Sequence, residues 1–178
     1  MQKIKGNSLF IYKKFILERY GEKGLEDTLT KAGPKTKATF NKPIISNEWY
    51  DMEIFCDFLE AFDKTFGREE YKVLASFAAE KQISGVLGLV MRFITLESLM
   101  SRAQEQWEKY YTPGKMTAAR KGPEVMITIS EFEMTDLQSI GMMFYFKFII
   151  EKLDKKEYIS TIKKIDKKTV EFHFLKKH

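Results

Sequence analysis

The chain has 178 residues, of which 44% are hydrophobic and 14% aromatic, and it carries a formal net charge of +5. That length fits a single domain over 1–178, with a helical lobe over 1–112 and a hairpin-helix-hairpin lobe over 113–178. A lone cysteine, Cys56, excludes an internal disulfide framework and any multi-cysteine metal site.

Asn7 or Ser8 can cap a first helix, because a short side-chain oxygen satisfies the free N–H groups there. Leu9, Tyr12, Phe15 and Ile16 follow at helical spacing, and Gly21 stops the helix. A short helix over 25–31 is closed by Gly33-Pro34, and 35–43 reads as a polar connection. Trp49 and Tyr50 precede Asp51, which is placed to cap a third helix. Its apolar stripe is Ile54, Phe55, Phe58, Leu59 and Phe62, and Gly67 ends it. A fourth helix over 69–84 carries Tyr71, Leu74, Ala75, Phe77 and Ala78, and Gly85 and Gly88 interrupt the pattern. Thr95 caps a fifth helix through 110, and Pro113-Gly114 makes a turn.

Beyond Gly114 the period becomes that of strands. Segments 115–120 and 124–132 flank Gly122-Pro123, a hairpin signature. Thr135 or Asp136 caps a long helix to about residue 153, apolar on nearly all sides as a buried helix is. A second hairpin pairs 157–165 with 169–176. Val170, Phe172 and Phe174 face one way along it, Glu171 and His173 the other. The predicted class is α+β: an N-terminal helical lobe packed on a C-terminal antiparallel sheet made of two hairpins flanking a buried helix.

Ten lysines lie from Lys147 onward, against five acidic residues. With no arginine cluster and no recognition motif they read as a solvated surface that deters edge pairing, and no specific nucleic-acid partner is expected. No window reaches the roughly 18–20 apolar residues of a membrane span, and the first fifteen residues lack a signal-peptide core. A cytoplasmic protein with no integral membrane segment is the expectation.

Catalytic sets are missing. Gly85-Val86-Leu87-Gly88 lacks the Lys-Ser/Thr of a phosphate loop, and there is no Gly-x-Ser-x-Gly elbow. The only histidines are His173, read as an exposed sheet residue, and His178 at the terminus. Acidic pairs such as Glu60 with Asp63 read as solvated helix surface. Cys56, beside Phe55, reads as an inert buried thiol. No enzymatic activity, catalytic residue or metal site is expected.

Several strings, in order, resemble one structural superfamily. They are Gly6…Phe15-Ile16-Leu17-Glu18-Arg19-Tyr20-Gly21, Trp49-Tyr50…Phe55, Ala61…Asp63…Gly67, Phe77-Ala78-Ala79 and Trp107…Tyr110-Tyr111…Gly114-Lys115. The superfamily holds the haem nitric-oxide/oxygen sensors (H-NOX), the 4-vinyl-reductase-type ligand-binding domain and core subunits of the TRAPP tethering complex. The likeness is greatest to a fourth group, a bacterial family of unknown function. The resemblance implies a shared fold and an apolar cavity between helical lobe and sheet. That cavity holds haem in the sensors, is thought to hold small apolar molecules in the vinyl-reductase type, and accepts an acyl chain in TRAPP subunits.

Three departures matter. The segment Thr95-Leu96-Glu97-Ser98-Leu99-Met100-Ser101-Arg102 is similar to the sensor helix that carries the haem-ligating histidine, and Met100 stands at that place. The Tyr-x-Ser-x-Arg propionate clamp is reduced to Ser130 in Thr128-Ile129-Ser130-Glu131-Phe132. Val170 stands where vinyl-reductase-type domains carry a cysteine before Glu171-Phe172. Haem is therefore not expected as a cofactor, because methionine usually ligates haem iron beside a histidine.

The resemblance and the aromatic residues together nominate Trp49, Tyr50, Phe77, Phe93, Met100, Trp107 and Tyr110 as pocket-lining residues. The expected function is a non-enzymatic domain that binds a small apolar or lipid-like ligand and reports it to a signalling partner. The alternative is a TRAPP-like scaffold with a filled core, a homodimer using the helix over 140–153 as part of its face.

Overall fold

A computed structural model describes residues 1–87 and 95–177 of the chain. It is mixed helix and antiparallel sheet, with the helices gathered in the N-terminal part and the larger sheet in the C-terminal part.

The chain opens with a short strand, β1 (Lys3–Lys5), which runs directly into α1 (Gly6–Thr30). Neither Asn7 nor Ser8 caps α1. The helix begins before them, and Ser8 is buried inside it. Gly21 does not end the element but kinks it, with φ 67° and ψ −170°, a backbone region that side chains with a Cβ avoid. The polar connection expected over 35–43 is largely a helix, α2 (Pro34–Phe40). Pro34 takes the first helical position, where a missing N–H costs nothing, and Phe40 is buried with its ring stacked on Phe58 at 3.9 Å. Strand β2 (Trp49–Asp51) leads into α3 (Met52–Phe66), and α4 (Arg68–Leu87) follows. Asp51 makes no side-chain cap; its carboxylate takes a hydrogen bond from Lys35 Nζ at 2.9 Å.

The fifth helix is two helices, α5 (Leu96–Met100) and α6 (Ala103–Tyr110). Thr95 caps α5, its Oγ1 accepting from the Ser98 N–H at 3.1 Å. The chain leaves helical geometry at Arg102, where Ser101 Oγ donates back to the Ser98 carbonyl at 2.9 Å. β3 (Tyr111–Thr112) then pairs with β1, which also pairs with β2, giving a small antiparallel sheet ordered β2–β1–β3. Nothing in the alternation of such short strands announces them.

The larger sheet is ordered β4–β5–β7–β6, from β4 (Lys115–Lys121), β5 (Glu124–Ser130), β6 (Tyr158–Asp166) and β7 (Thr169–Lys176). Its register sets Ala118 beside Ile127 and Ile127 beside Phe172, so one face carries the apolar residues of all the central strands. Between the hairpins runs α7 (Asp136–Asp154), opened by a capping box. Thr135 Oγ1 accepts from the Gln138 N–H at 3.1 Å while Gln138 Oε1 accepts from the Thr135 N–H at 2.9 Å. α7 packs against α4 on one side and the sheet on the other. Within it only Asp136 and Lys152 are exposed. Along 140–153, the stretch offered above as part of a dimer face, Gly141, Phe146, Ile149 and Ile150 are buried within the chain and every other residue but Lys152 is half-buried.

One apolar cluster joins the two parts, from Ile4 and Leu9 through Phe58 and Phe62 to Phe172 and Phe174. Several of the C-terminal lysines are paired across the surface: Lys164 with Asp136, Lys167 with Glu133, Lys176 with Asp154 and Lys177 with Glu157. Exposed pairs of this kind contribute little to stability and mark a solvated surface. Among the described residues no helix is long and apolar enough to cross a membrane.

Candidate functional site

The two faces of α6 differ. Ala103 and Trp107, four residues apart, are buried, and Tyr110 extends that face by a turn. The Trp107 ring stacks on Tyr111 at 4.4 Å and meets Phe132 edge-on at 4.9 Å, and its indole N–H donates to the Pro113 carbonyl at 3.3 Å. A ring held on three sides is a fixed wall. α5 adds Leu96 and Met100, also four apart.

Alternation brings Met116 and Ala118 of β4, and Val125 and Ile127 of β5, to the inner face of the sheet opposite these helices. α7 supplies the third wall with Met142, Tyr145, Phe146, Ile149, Ile150 and Leu153, a stripe at helical spacing. The space left between the three walls is about 370 Å³. Small-molecule sites run from about 300 to about 1,000 Å³ and are mostly apolar.

A smaller space of about 20 Å³, room for about one water molecule, shares Gln82, Tyr111, Met142 and Tyr145 with the first. Polar groups border it alongside Phe55, Leu59 and Phe132. The Tyr145 hydroxyl donates to Gln82 Oε1 at 2.6 Å, and Gln82 Nε2 donates to Ser8 Oγ at 3.4 Å. Tyr71 donates to the Leu137 carbonyl at 3.0 Å. Burial pushes the phenols of Tyr12, Tyr71, Tyr111 and Tyr145 well above the usual range, so all four are neutral at physiological pH.

Two elements that wall the larger cavity, α5 and α7, are tied to each other by Arg120. Its guanidinium pairs with Glu97 of α5 at 3.0 Å and with Asp154 at the end of α7 at 3.3 Å. Partial burial works against the Asp154 charge. The Tyr158 hydroxyl at 2.9 Å, Arg120 and Lys176 outweigh it and hold the carboxyl below its usual range.

Of the nominated residues, Met100, Trp107 and Tyr110 line the cavity together. Three others lie elsewhere, and each has a structural partner. Trp49 sits on β2, 37% exposed, with Lys5 Nζ over its ring at 4.2 Å. Tyr50 packs where a side chain on Gly6 would stand, and its hydroxyl accepts from the Ile45 N–H at 3.0 Å. Phe77 turns toward α1, edge-on to Phe15 at 5.1 Å, with Lys81 at 5.0 Å from its ring centroid. Phe93 lies outside the described residues. The lining residues not nominated include Leu96, Leu99, Ala103 and Tyr111 beside Met100 and Trp107, and those of the sheet floor and α7. Their signals were present, the alternation through Met116 and Ala118 and the all-round apolarity of 140–153, but neither pattern says which face meets empty space.

His173 is not among the lining residues. It stands on the outer face of β7, half-buried, with Nδ1 2.7 Å from Glu124 and Nε2 3.3 Å from Glu171. Burial, with help from Glu60 and Asp57, pushes the Cys56 thiol up to about 12, which leaves it a protonated, poor nucleophile at neutral pH.

No protein-family model matches the sequence, and no curated protein gives a significant match. Solved structures do match by shape. The H-NOX protein from K. algicida in its Fe(II) unliganded form superposes with a TM-score of 0.69 at 12% identity, covering 98% of this chain and 97% of that one. The H-NOX protein from S. oneidensis in the Fe(II)NO state gives 0.69 at 12%, covering 98% and 99%. A Cs H-NOX variant carrying 4-cyano-L-phenylalanine gives 0.67 at 15%, covering 98% and 97%. At these identities the likeness shows the fold, which is that of H-NOX domains.

Proposed function

We propose that the chain is a non-enzymatic sensory domain that takes a small apolar ligand into the cavity between α5–α6, the sheet and α7, and passes the occupied state to a signalling partner. The observation that carries this reading is the 370 Å³ space itself, walled by Met100, Trp107, Phe146 and Ile149. Burial of apolar ligand surface there is worth about 25 cal/mol per Å². Arg120 gives the ligand a lever, since it joins the α5 wall to the end of α7.

Haem held in the H-NOX manner does not suit this donor set. The described walls offer the thioethers of Met100, Met116 and Met142 and the phenols of Tyr110, Tyr111 and Tyr145, and no imidazole or thiolate. A thioether usually ligates haem iron beside a histidine, and phenols kept protonated by burial are poor ligands. The reading is therefore of the sensor fold with a different occupant.

The test is titration with the apolar fluorophore N-phenyl-1-naphthylamine, alongside native mass spectrometry of the purified protein. Saturable binding of one molecule per chain is the expected result. Absence of saturable binding by folded protein would overturn the reading.

A further inference from the structure

Charge is distributed unevenly around the cavity. Its described lining carries two cations, Arg102 and Lys109, and no carboxylate, and the sequence has no Asp or Glu from 83 to 94. Both cations belong to the α6 segment, seven residues apart, which puts them on one helix edge about 10 Å from each other with Gln106 between. Both are exposed residues, so their charged ends reach water while their stems border the apolar space. Among the described residues neither makes an ion pair, in contrast to Arg120 with its two carboxylates.

The wall shared with the smaller space is the opposite case. Tyr145 and Gln82 are neutral and satisfy one another at 2.6 Å. None of the described residues around the smaller space is a cation, so a carboxylate placed against the pair would lose water there without gaining a charged partner. An apolar group can lie against the pair without breaking it.

From this asymmetry we infer that the occupant is an amphiphilic monocarboxylate. Its hydrocarbon part lies between Trp107, Ile127 and Phe146, and its carboxylate stays at the α6 edge with Arg102 and Lys109. The inference rests on the cavity reading above and adds the head group and the orientation.

The experiment compares dodecanoate, dodecanol and dodecylamine, each below its aggregation concentration. The readout is Trp107 fluorescence in a Trp49→Phe background, in which Trp107 is the sole indole. The acid is expected to bind about tenfold more tightly than the alcohol, a preference that weakens with salt, and the amine to bind least well. Shortening the acid by one methylene should weaken it about fourfold. The double variant Arg102→Gln with Lys109→Gln should bring acid and alcohol to the same affinity and remove the salt dependence of acid binding. Equal binding of acid and alcohol by the Trp49→Phe protein, or an acid preference surviving in the double variant, overturns the head-group assignment alone. Failure of all three amphiphiles to bind folded protein overturns the cavity reading with it.

Discussion

Tyr71 and Gly141 occupy a single place between α4 and α7. The Tyr71 hydroxyl crosses the position that a Gly141 side chain would fill, on its way to the Leu137 carbonyl at 3.0 Å. A Cβ on Gly141 would overlap that hydroxyl. The close approach of the two helices therefore depends on a glycine in one and a tyrosine in the other, and it fixes the depth at which α7 carries Met142 and Tyr145 to the cavities.

Gly141→Ala should destabilise the fold by about 1–3 kcal/mol through overpacking. Tyr71→Phe should cost about 1 kcal/mol for the lost hydrogen bond. In the double variant the overlap is relieved, so the two losses should sum to less than their separate values in urea denaturation. Strict additivity would refute the steric coupling.

Ala118 faces the cavity from β4 as a half-buried residue. Ala118→Phe should fill space without displacing a well-packed neighbour. Binding of the apolar fluorophore is expected to weaken by about tenfold or more while the urea midpoint stays close to wild type, since filling a void restores packing contacts. A large loss of stability with binding intact would mean that the space is not where the probe goes.

Met100 lines the cavity from α5. Met100→His supplies the imidazole that the walls lack. After haem loading the variant should show a Soret band with about one haem per chain, and the wild type should not. Stoichiometric haem uptake by the wild type, read by absorbance, would reverse the assignment of the site.

His173 titrates above its ordinary value of 6.5, chiefly through its hydrogen bond to Glu124, with burial opposing and Glu171 assisting. A raised folded-state pKa means that the charged imidazole stabilises the fold in full below pH 6.5. That contribution is lost as pH rises through the folded-state value. Comparing the urea midpoints of wild type and His173→Asn from about pH 5 to about pH 9 should show the gap between them greatest at the acid end. A gap that widens with pH would contradict this.

Element type was legible wherever a residue's fate depends on its own neighbours. Periods of 3.6 and 2 over Ile54–Phe62 and over Val170–Phe174 gave helix and strand, and Thr95 and Thr135 fixed two helix starts. Together with the order of elements they determined an α+β chain with its helices first. The local signals failed where a distant partner decides. β1, β2 and β3 exist because Ile4 finds Tyr50 on one side and Tyr111 on the other. Phe40 is helical core because Phe58 stacks on it. The cavity belongs wholly to this second kind. Met100, Trp107 and Tyr110 could be nominated as apolar residues, but so could Trp49, Tyr50 and Phe77, which pack elsewhere. A void is a mismatch of volume between Trp107, Ala118 and Ile149, which no stretch of chain joins closely. Sequence periodicity reports which side of an element avoids water, whereas only the packed tertiary structure decides whether that side meets another side chain or empty space.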